Sequence, residues 1–279
     1  MKHSKPQLPF LETMIIQACN LSCTGCTNYS DLRHRGYVTW QQGRKTLLQW
    51  LERIDIQEFG IMGGEPMINP QWQEWVTGTR ELFPTSQLRF TTNGLLIKNV
   101  RNIVDVMKQV GNIVFKITVH VESDHLNNII DQVFACEDWQ PVEEYGIKRW
   151  IGPNQVRFQV NRPQTFTKSF QGTYQNMRPW NSSPESAFRA CCQQTCPLLY
   201  QDRIYKCSTA GLLQDILNRF DRPNWEEWQP YINQGISIDS SDSEIEQFCQ
   251  MFGKPESICG QCPVPGQSDF DHLAAVEFK

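Results

Sequence analysis

The chain has 279 residues, of which 39% are hydrophobic and 20% are charged, and its formal net charge is −4. These values are ordinary for a globular protein and argue against a surface built to neutralise many phosphate groups. The first residues lack the apolar run of a signal peptide, and no stretch approaches the roughly 20 apolar residues of a membrane span. We therefore expect a cytoplasmic protein with no membrane partner, in which clustered cysteines stay reduced and indicate metal ligands.

Short β-rich runs alternate with helical patterns through the first part of the chain. The predicted strands cover residues 13–17, 58–64, 87–94, 112–121 and 155–160, and the predicted helices cover residues 39–54, 69–83, 99–110 and 127–135. Such alternation predicts a parallel sheet made of right-handed βαβ units. The expected fold is α/β, a partial (β/α)6 TIM-like barrel with its chemistry at the carboxyl ends of the strands.

Turns of unusual composition follow the first three predicted strands. A cysteine-rich loop begins after Gln17, Gly63–Gly64 ends the second strand, and Asn93–Gly94 ends the third. Because the carboxyl ends of parallel strands lie at one edge of a sheet, these turns are expected to meet there. We therefore predict that the functional site lies at this edge.

Three of the eleven cysteines, Cys19, Cys23 and Cys26, fall within a single short loop. Disulfides need pairs of cysteines, and a structural zinc site or a fully protein-ligated iron–sulfur cluster needs four ligands. A [4Fe–4S] cluster held by three thiolates leaves one iron open to another ligand. A zinc site that borrows a distant fourth ligand such as His34 is the alternative interpretation.

Taken together, these turns resemble the motifs of the radical S-adenosylmethionine (SAM) superfamily. The cysteine triplet is similar to the cluster-binding motif, Gly63-Gly64-Glu65-Pro66 to the GGEP element, and Thr91-Thr92-Asn93-Gly94 to the TNG turn. The resemblance covers residues 13 to about 160 and implies a [4Fe–4S] cluster on the cysteine triplet, with SAM on the open iron. It also implies SAM contacts from several strand ends: Gly63, Gly64, Glu65, Pro66, Thr92, Asn93, Thr118 and His120.

Two details accompany this resemblance. Thr118 and His120 are included because period-two alternation puts them on one face of the fourth predicted strand together with Lys116. The sequence departs from many members of the superfamily at Gly25, where an aromatic residue usually contacts the adenine region. Tyr29 is the candidate to compensate for it.

A second group of seven cysteines lies between residues 191 and 262, after a polar, non-periodic segment at 161–186 that we interpret as a linker or a substrate-facing loop. This region resembles the twitch extension, or the longer SPASM domain, in which cysteines hold an auxiliary [4Fe–4S] cluster. The segment LLYQDRIYKC predicts a β-hairpin with a Gln-Asp turn. We expect two domains, residues 1–185 for the barrel and residues 186–279 for a small cysteine-rich β-hairpin/helix auxiliary-cluster domain.

The auxiliary ligands implied by this resemblance are Cys196, Cys207, Cys259 and Cys262, with Cys191 or Cys192 as the replacement for one of them. A structural zinc on the same thiolates is the alternative, because C-x2-C is equally a zinc pattern. Cys136 and Cys249 are expected to act as small hydrophobic core residues.

The implied function is that of a radical SAM enzyme. Such an enzyme reductively cleaves SAM to a 5′-deoxyadenosyl radical, which abstracts hydrogen from a small-molecule, sugar or nucleotide substrate. An auxiliary cluster fits a role as electron acceptor in a net oxidation, and the electron for cleavage would come from an external reductant of flavodoxin or ferredoxin type. Because only 18 residues precede Cys19, we expect no leader-recognition domain in this chain.

Three alternatives stay open. The first is a redox-neutral radical isomerase or epimerase with a structural auxiliary metal site. The second is an enzyme that modifies a nucleic acid or a peptide, since net charge alone leaves a nucleic-acid substrate open. The third, from a different class, is a non-catalytic iron–sulfur electron-transfer module, which would leave the GGEP element without a purpose.

Overall fold

The structure is a computed structural model, and it describes residues 5–135, 139–144, 147–163, 165–232, 234–271 and 276–278. Cys136 lies outside the described residues. No helix in the described part of the chain is both long and apolar enough to cross a membrane.

The strands follow the predicted alternation in the first half and become short in the second half. In chain order they are β1 (Gln7–Met14), β2 (Leu21–Cys23), β3 (Asp55–Met62), β4 (Gln87–Thr92), β5 (Ile113–Thr118), β6 (Gln140–Glu144), β7 (Ile147–Ile151), β8 (Arg157–Asn161), β9 (Thr165–Thr167), β10 (Leu198–Tyr200), β11 (Arg203–Tyr205), β12 (Ile236–Ser237), β13 (Asp269–Asp271) and β14 (Val276–Phe278).

The α-helices of the first half lie between successive parallel strands. In chain order the α-helices are α1 (Trp40–Arg53), α2 (Trp72–Leu82), α3 (Val100–Val110), α4 (Asp124–Ala135), α5 (Pro184–Ala190), α6 (Ser208–Arg219), α7 (Trp225–Trp228) and α8 (Asp242–Gln250). Their starts follow from local chemistry, as in α1, where Thr39 and Gln42 form a reciprocal capping box.

The main sheet has ten strands in the order β12-β11-β10-β1-β3-β4-β5-β8-β7-β6. The six strands from β10 to β8 are parallel, and the antiparallel strands flank them on both sides. This is an α/β fold with a mostly parallel sheet, as the sequence predicted. Among the strands, the sequence analysis did not predict the β6–β7 hairpin, β12, or the small pairs β9–β13 and β2–β14. It also did not predict helices α5, α6 and α8.

The two faces of the sheet differ in chemistry. Phe90, Phe115 and Phe158 stack across β4, β5 and β8, with ring centroids 5.7 and 5.8 Å apart, within the main hydrophobic core. Side chains alternate between faces along a strand, so Lys116 and Gln159 lie on the opposite face. That second face is rich in charged and amide groups.

The predicted hairpin is confirmed, and it lies in an unexpected place. Gln201 and Asp202 have φ of +47° and +64°, as a two-residue type I′ turn requires. β10 pairs in parallel with β1, with Leu198 opposite Glu12. The main sheet therefore runs across the expected domain boundary at residues 185–186, and that boundary stays a prediction.

Two further predictions differ from the structure in part. The first strand begins at Gln7 and ends at Met14 rather than covering 13–17, because the apolar residues Leu8 and Leu11 extend it towards the amino terminus. The segment 161–186 is not simply a polar linker, since Phe170 and Met177 are buried in a second hydrophobic cluster that also contains residues of α6. Isolated apolar residues in a polar segment carry no periodic signal, which explains this error.

Candidate active site

The three predicted turns meet in one cavity at the carboxyl ends of β1, β3, β4 and β5. The centre of a water-sized sphere can occupy about 130 Å³ of it, and the surrounding space is partly open to solvent. Nine of the predicted site residues line it: Cys19, Cys23, Cys26, Gly63, Gly64, Thr92, Asn93, Thr118 and His120. Residues from distant parts of the sequence are therefore gathered where parallel-sheet topology predicts a site.

The cysteine loop is a series of tight turns. The Cys26 N–H donates to the Cys23 carbonyl at 3.1 Å, the Tyr29 N–H donates to the Cys26 carbonyl at 2.9 Å, and the Leu21 N–H approaches Cys19 Sγ at 3.4 Å. Gly25 has a φ of +74°, a conformation that glycine adopts without steric cost. The backbone of this loop thus accounts for glycine where many relatives of this motif carry an aromatic residue.

Gly63 and Gly64 pack directly against the chain that enters the cysteine loop. The Gly64 N–H donates to the Ile16 carbonyl at 2.8 Å, and the next N–H, that of Glu65, donates to the Ala18 carbonyl at 2.9 Å. A Cβ at Gly64 would lie 2.4 Å from the Ala18 carbonyl oxygen, and one at Gly63 would lie 2.5 Å from that of Ile16. The absence of side chains is therefore what lets these two segments approach each other.

Glu65 is buried behind the cavity wall rather than in it. Its carboxylate accepts hydrogen bonds from Thr92 Oγ1 at 2.7 Å, the Asn93 N–H at 2.7 Å and the Met67 N–H at 3.0 Å. Burial raises the pKa of Glu65 to about 7, and these hydrogen bonds oppose that rise. The predicted contact of Glu65 with SAM stays a prediction. In this structure its side-chain oxygens join the GGEP turn to the TTN turn. Pro66, also predicted, is buried beside it and is not among the lining residues.

Asn93 connects the third turn to the cysteine loop. Its side-chain amide donates to Asn20 Oδ1 at 2.8 Å and lies 3.9 Å from Cys19 Sγ, while its own Oδ1 accepts from the Leu95 N–H at 3.0 Å. On the opposite wall, Asn28 Nδ2 donates to the Gly63 carbonyl at 3.1 Å. Side-chain amides therefore fix all three turns relative to one another.

Asp31 is a cavity residue that the sequence analysis missed. Both of its carboxylate oxygens are within hydrogen-bond distance of the Tyr174 hydroxyl, at 2.7 and 2.9 Å. Tyr29, suggested above as a substitute for the missing aromatic residue, does not line the cavity. It is buried against Phe170 and Tyr174, with ring centroids 6.3 Å away in both cases. No short-range pattern links Asp31 to Tyr174, because 143 positions separate them.

The second group of cysteines is divided between two places. Cys191, Cys207, Cys259 and Cys262 line one small cavity next to α5 and the start of α6. Burial raises the pKa of each of these thiols, and the neighbouring thiols raise the pKa of Cys207 and Cys262 further. Thiols that crowd together in this way are a donor set for a metal centre, which binds the deprotonated form.

Cys196 does not reach this cavity. It precedes β10 and lies near Glu12, Arg89 and Lys116, the groups that act on its pKa. The pairing of β10 with β1 explains the position of Cys196, because Cys196 lies two residues before β10 and is therefore held beside the main sheet. The structure thus groups Cys191, which the sequence analysis allowed as a replacement, with Cys207, Cys259 and Cys262, and the ligand set itself stays a prediction. Cys249 is buried in the main core, as predicted.

Among the described residues, no three His, Cys, Asp or Glu side chains are arranged to hold one metal ion. This applies to the first cysteine loop and to the second group alike. His34, the suggested fourth zinc ligand, hydrogen-bonds through Nε2 to the Tyr29 carbonyl at 2.9 Å.

Comparison with known proteins agrees with the geometry of the first site. Residues 13–134, which make up less than half of the chain, match the family model described as the Radical SAM superfamily. GTP 3′,8-cyclase of Microcystis aeruginosa is 26% identical over 102 residues, which cover 35% of this chain and 31% of the relative. Mycofactocin maturase MftC of Mycobacterium tuberculosis is 34% identical over 83 residues, which cover 29% of this chain and 20% of the relative. The chain thus spans less than a third of each of these two relatives.

A solved structure extends the likeness to nearly the whole chain at the level of the fold. BtrN, crystallised in complex with AdoMet and 2-DOIA, has a TM-score of 0.53 at 13% identity. The match covers 94% of this chain and 95% of BtrN. At this identity the likeness concerns the fold alone.

Proposed function

We propose that this protein is a radical SAM enzyme that abstracts hydrogen from a small-molecule, sugar or nucleotide substrate. The observation that carries the proposal is the cavity at the strand ends, where three cysteines, two glycines that admit close backbone approach and the TTN turn are brought together. A match to the Radical SAM superfamily over the same residues supports it.

The donor set fits the implied cofactors. Cys19, Cys23 and Cys26 would hold a [4Fe–4S] cluster, and their number leaves one iron for SAM. When bound, the cluster and SAM together supply a 5′-deoxyadenosyl radical, which is the chemistry that the protein itself lacks. The N–H groups of Gly64 and Glu65 already donate within the protein. The amino group of SAM is a donor, so the backbone carbonyls of this turn would accept from it.

The protein residues would position and enclose these groups. Glu65 fixes the two turns from behind, Asn93 fixes the third turn against the cysteine loop, and Thr118 and His120 line the side towards β5. The name of one relative, GTP 3′,8-cyclase, supports a nucleotide among the candidate substrates.

We further propose an auxiliary [4Fe–4S] cluster on Cys191, Cys207, Cys259 and Cys262. Four thiols around one cavity are the number that a fully protein-ligated cluster needs. An auxiliary cluster would accept the second electron of a net oxidation, while a flavodoxin- or ferredoxin-type protein would supply the electron for SAM cleavage.

The first test is metal analysis after anaerobic reconstitution. About eight iron and eight sulfide per chain would support both clusters. About four of each together with one zinc would retain the SAM site, remove the auxiliary cluster and favour a redox-neutral reaction. Iron without sulfide would contradict the proposal.

The second test separates the two sites by activity. Cys23→Ala should abolish formation of 5′-deoxyadenosine from SAM, whereas Cys207→Ala should retain at least uncoupled cleavage. Cys249→Ala, which removes a buried cysteine outside both cavities, is the matched control. Full cleavage by the Cys23→Ala variant would refute the mechanism.

A further inference from the structure

Basic side chains are concentrated on the polar face of the main sheet, next to the cavity that Cys19, Cys23 and Cys26 line. Arg89 on β4 and Arg157 on β8 both stand opposite Val114 on the intervening β5. Lys116 follows two residues later on β5, on the same face. Three basic groups from neighbouring strands therefore surround one apolar position.

Two donors in this group have no hydrogen-bond partner within the part of the chain that the structure describes. They are Arg157 Nη1 and Arg89 Nε, and both atoms are buried. Val114 offers no side-chain acceptor to either. A buried donor without an acceptor is costly, so this arrangement is better suited to a site that receives oxygen atoms from a ligand.

The acidic groups nearby do not balance the basic ones. Glu58 forms an ion pair with Arg89, with Oε1 2.6 Å from Nη2. Glu12 is the other carboxyl group near Arg89 and Lys116, and burial raises its pKa to about 7. Burial also lowers the pKa of Lys116. Three basic side chains thus face two carboxyl groups, one of which is already paired with Arg89.

The position of this group relates it to the cavity. Lys116 is the register partner of Thr91, which lines the cavity, and the next residue on the same face of β5 is Thr118, which also lines it. On the other side Lys116 pairs with Gln159, whose Oε1 accepts from Arg149 Nε at 3.2 Å. A ligand held by these basic groups would extend directly towards the cysteine loop.

We infer that Arg157, Lys116 and Arg89 bind an anionic group of the substrate, either a phosphoryl or a carboxylate group. This inference rests on the proposed function and narrows its substrate class to anionic molecules. Guanidinium and ammonium groups are the usual partners of phosphate and carboxylate oxygens, and such charge-assisted hydrogen bonds are strong. The neutral part of the substrate would then face the cavity, where hydrogen is abstracted.

Anion binding can be measured without turnover. Inorganic pyrophosphate and malonate are titrated calorimetrically into the reconstituted protein with SAM present. Arg157→Gln and Lys116→Gln should each raise the Kd for the preferred probe by about ten-fold or more, as expected when a charge-assisted hydrogen bond is lost. Lys116→Arg, which keeps the charge, should bind more tightly than Lys116→Gln.

The control is Arg101→Gln on the exposed face of α3, which should bind the probe as the unmodified protein does. Preference for pyrophosphate would identify a phosphoryl group, and preference for malonate a carboxylate. Binding of neither probe, or equal binding by all the folded variants, would overturn the inference. Formation of 5′-deoxyadenosine, assayed on the same samples, tests the proposed function separately.

Discussion

Gly64, which lines the cavity at the carboxyl ends of the strands, leaves no room for a side chain. A Cβ there would lie 2.4 Å from the Ala18 carbonyl oxygen and 2.6 Å from that of Gln17. Both are backbone atoms, which cannot rotate away as a flexible side chain can. Replacing this glycine must therefore move the turn or the cysteine loop.

We predict that Gly64→Ala lowers the rate of 5′-deoxyadenosine formation by at least about ten-fold, because it displaces the cysteine loop from the GGEP turn. Gly36→Ala is the control, since nothing lies within 4 Å of its added methyl group. In Gly36→Ala the only expected cost is backbone strain of about 1–2 kcal/mol, because residue 36 has a positive φ. Normal SAM binding and cleavage by Gly64→Ala would show that the turn adjusts freely.

Glu12, on the polar face of the sheet, makes the free energy of unfolding depend on pH. Burial raises its pKa from 4.5 to about 7, against the opposing effect of Arg89 and Lys116. Between these two values the unfolded chain has lost its proton while the folded chain retains it. The unfolded state then binds fewer protons, so the free energy of unfolding falls as the pH rises through this interval.

We expect Glu12→Gln to remove much of that dependence. The contribution of this one group is roughly 1–3 kcal/mol, given about 1.4 kcal/mol per pKa unit. Chemical denaturation at pH 5 and pH 8 measures it, with Glu81→Gln on the exposed surface of α2 as the control. An unchanged difference between the two pH values in Glu12→Gln would contradict the assignment.

At the scale of elements, one arginine connects two helices to the sheet. Arg80 on α2 donates to backbone carbonyls at the end of α2, before β4 and at the end of α3. The acceptors are Val110, Phe83, Ser86, Gly111 and Asn112, at 3.1, 2.5, 2.8, 2.9 and 3.0 Å, respectively. These contacts lie at the amino-terminal ends of the strands, away from the cavity, where barrel residues serve stability.

Arg80→Lys should therefore lower the free energy of unfolding by about 2–4 kcal/mol, because an ammonium group cannot satisfy acceptors spread over such a fork. Arg101→Lys on the exposed face of α3 is the matched control. SAM cleavage at a temperature where the variant stays folded should be unaffected. A loss of cleavage without a loss of stability would place Arg80 in the catalytic machinery instead.

At the scale of the whole molecule, one sheet unites the two cysteine regions. β1 enters the first cysteine loop, and its neighbour β10 begins the hairpin that ends next to Cys207. The same pairing carries Cys196 to the polar face of the sheet and leaves Cys191 with Cys207, Cys259 and Cys262. Which cysteines share a cavity is thus a consequence of strand pairing.

Comparing two single variants tests this assignment. Cys191→Ala should lose about four iron per chain after reconstitution, the content of one cluster, whereas Cys196→Ala should retain the full iron content. Both variants should keep the spectrum of the SAM-binding cluster. Loss of iron from Cys196→Ala, with none from Cys191→Ala, would restore the ligand set expected from the sequence.

Features determined by neighbouring residues could be predicted from the sequence alone. Apolar periodicity predicted helices α1 to α4 and the parallel strands β1, β3, β4, β5 and β8. The Gln201–Asp202 dipeptide predicted the hairpin turn, and motif spacing indicated the three turns of the first site. Each depends on contacts within a few positions, or on the rule that parallel strand ends share one edge.

Only the tertiary structure decided what depends on contacts between distant residues. The contact between Asp31 and Tyr174, the burial of Glu65 behind two turns and the position of Cys191, rather than Cys196, beside Cys207, Cys259 and Cys262 all follow from pairing and packing across the chain. Local pattern specifies which face of a strand is polar, but it does not specify which strand lies beside it. The sequence by itself therefore determined the chemistry available to this protein, and the register of β10 on β1 decided which residues share each site.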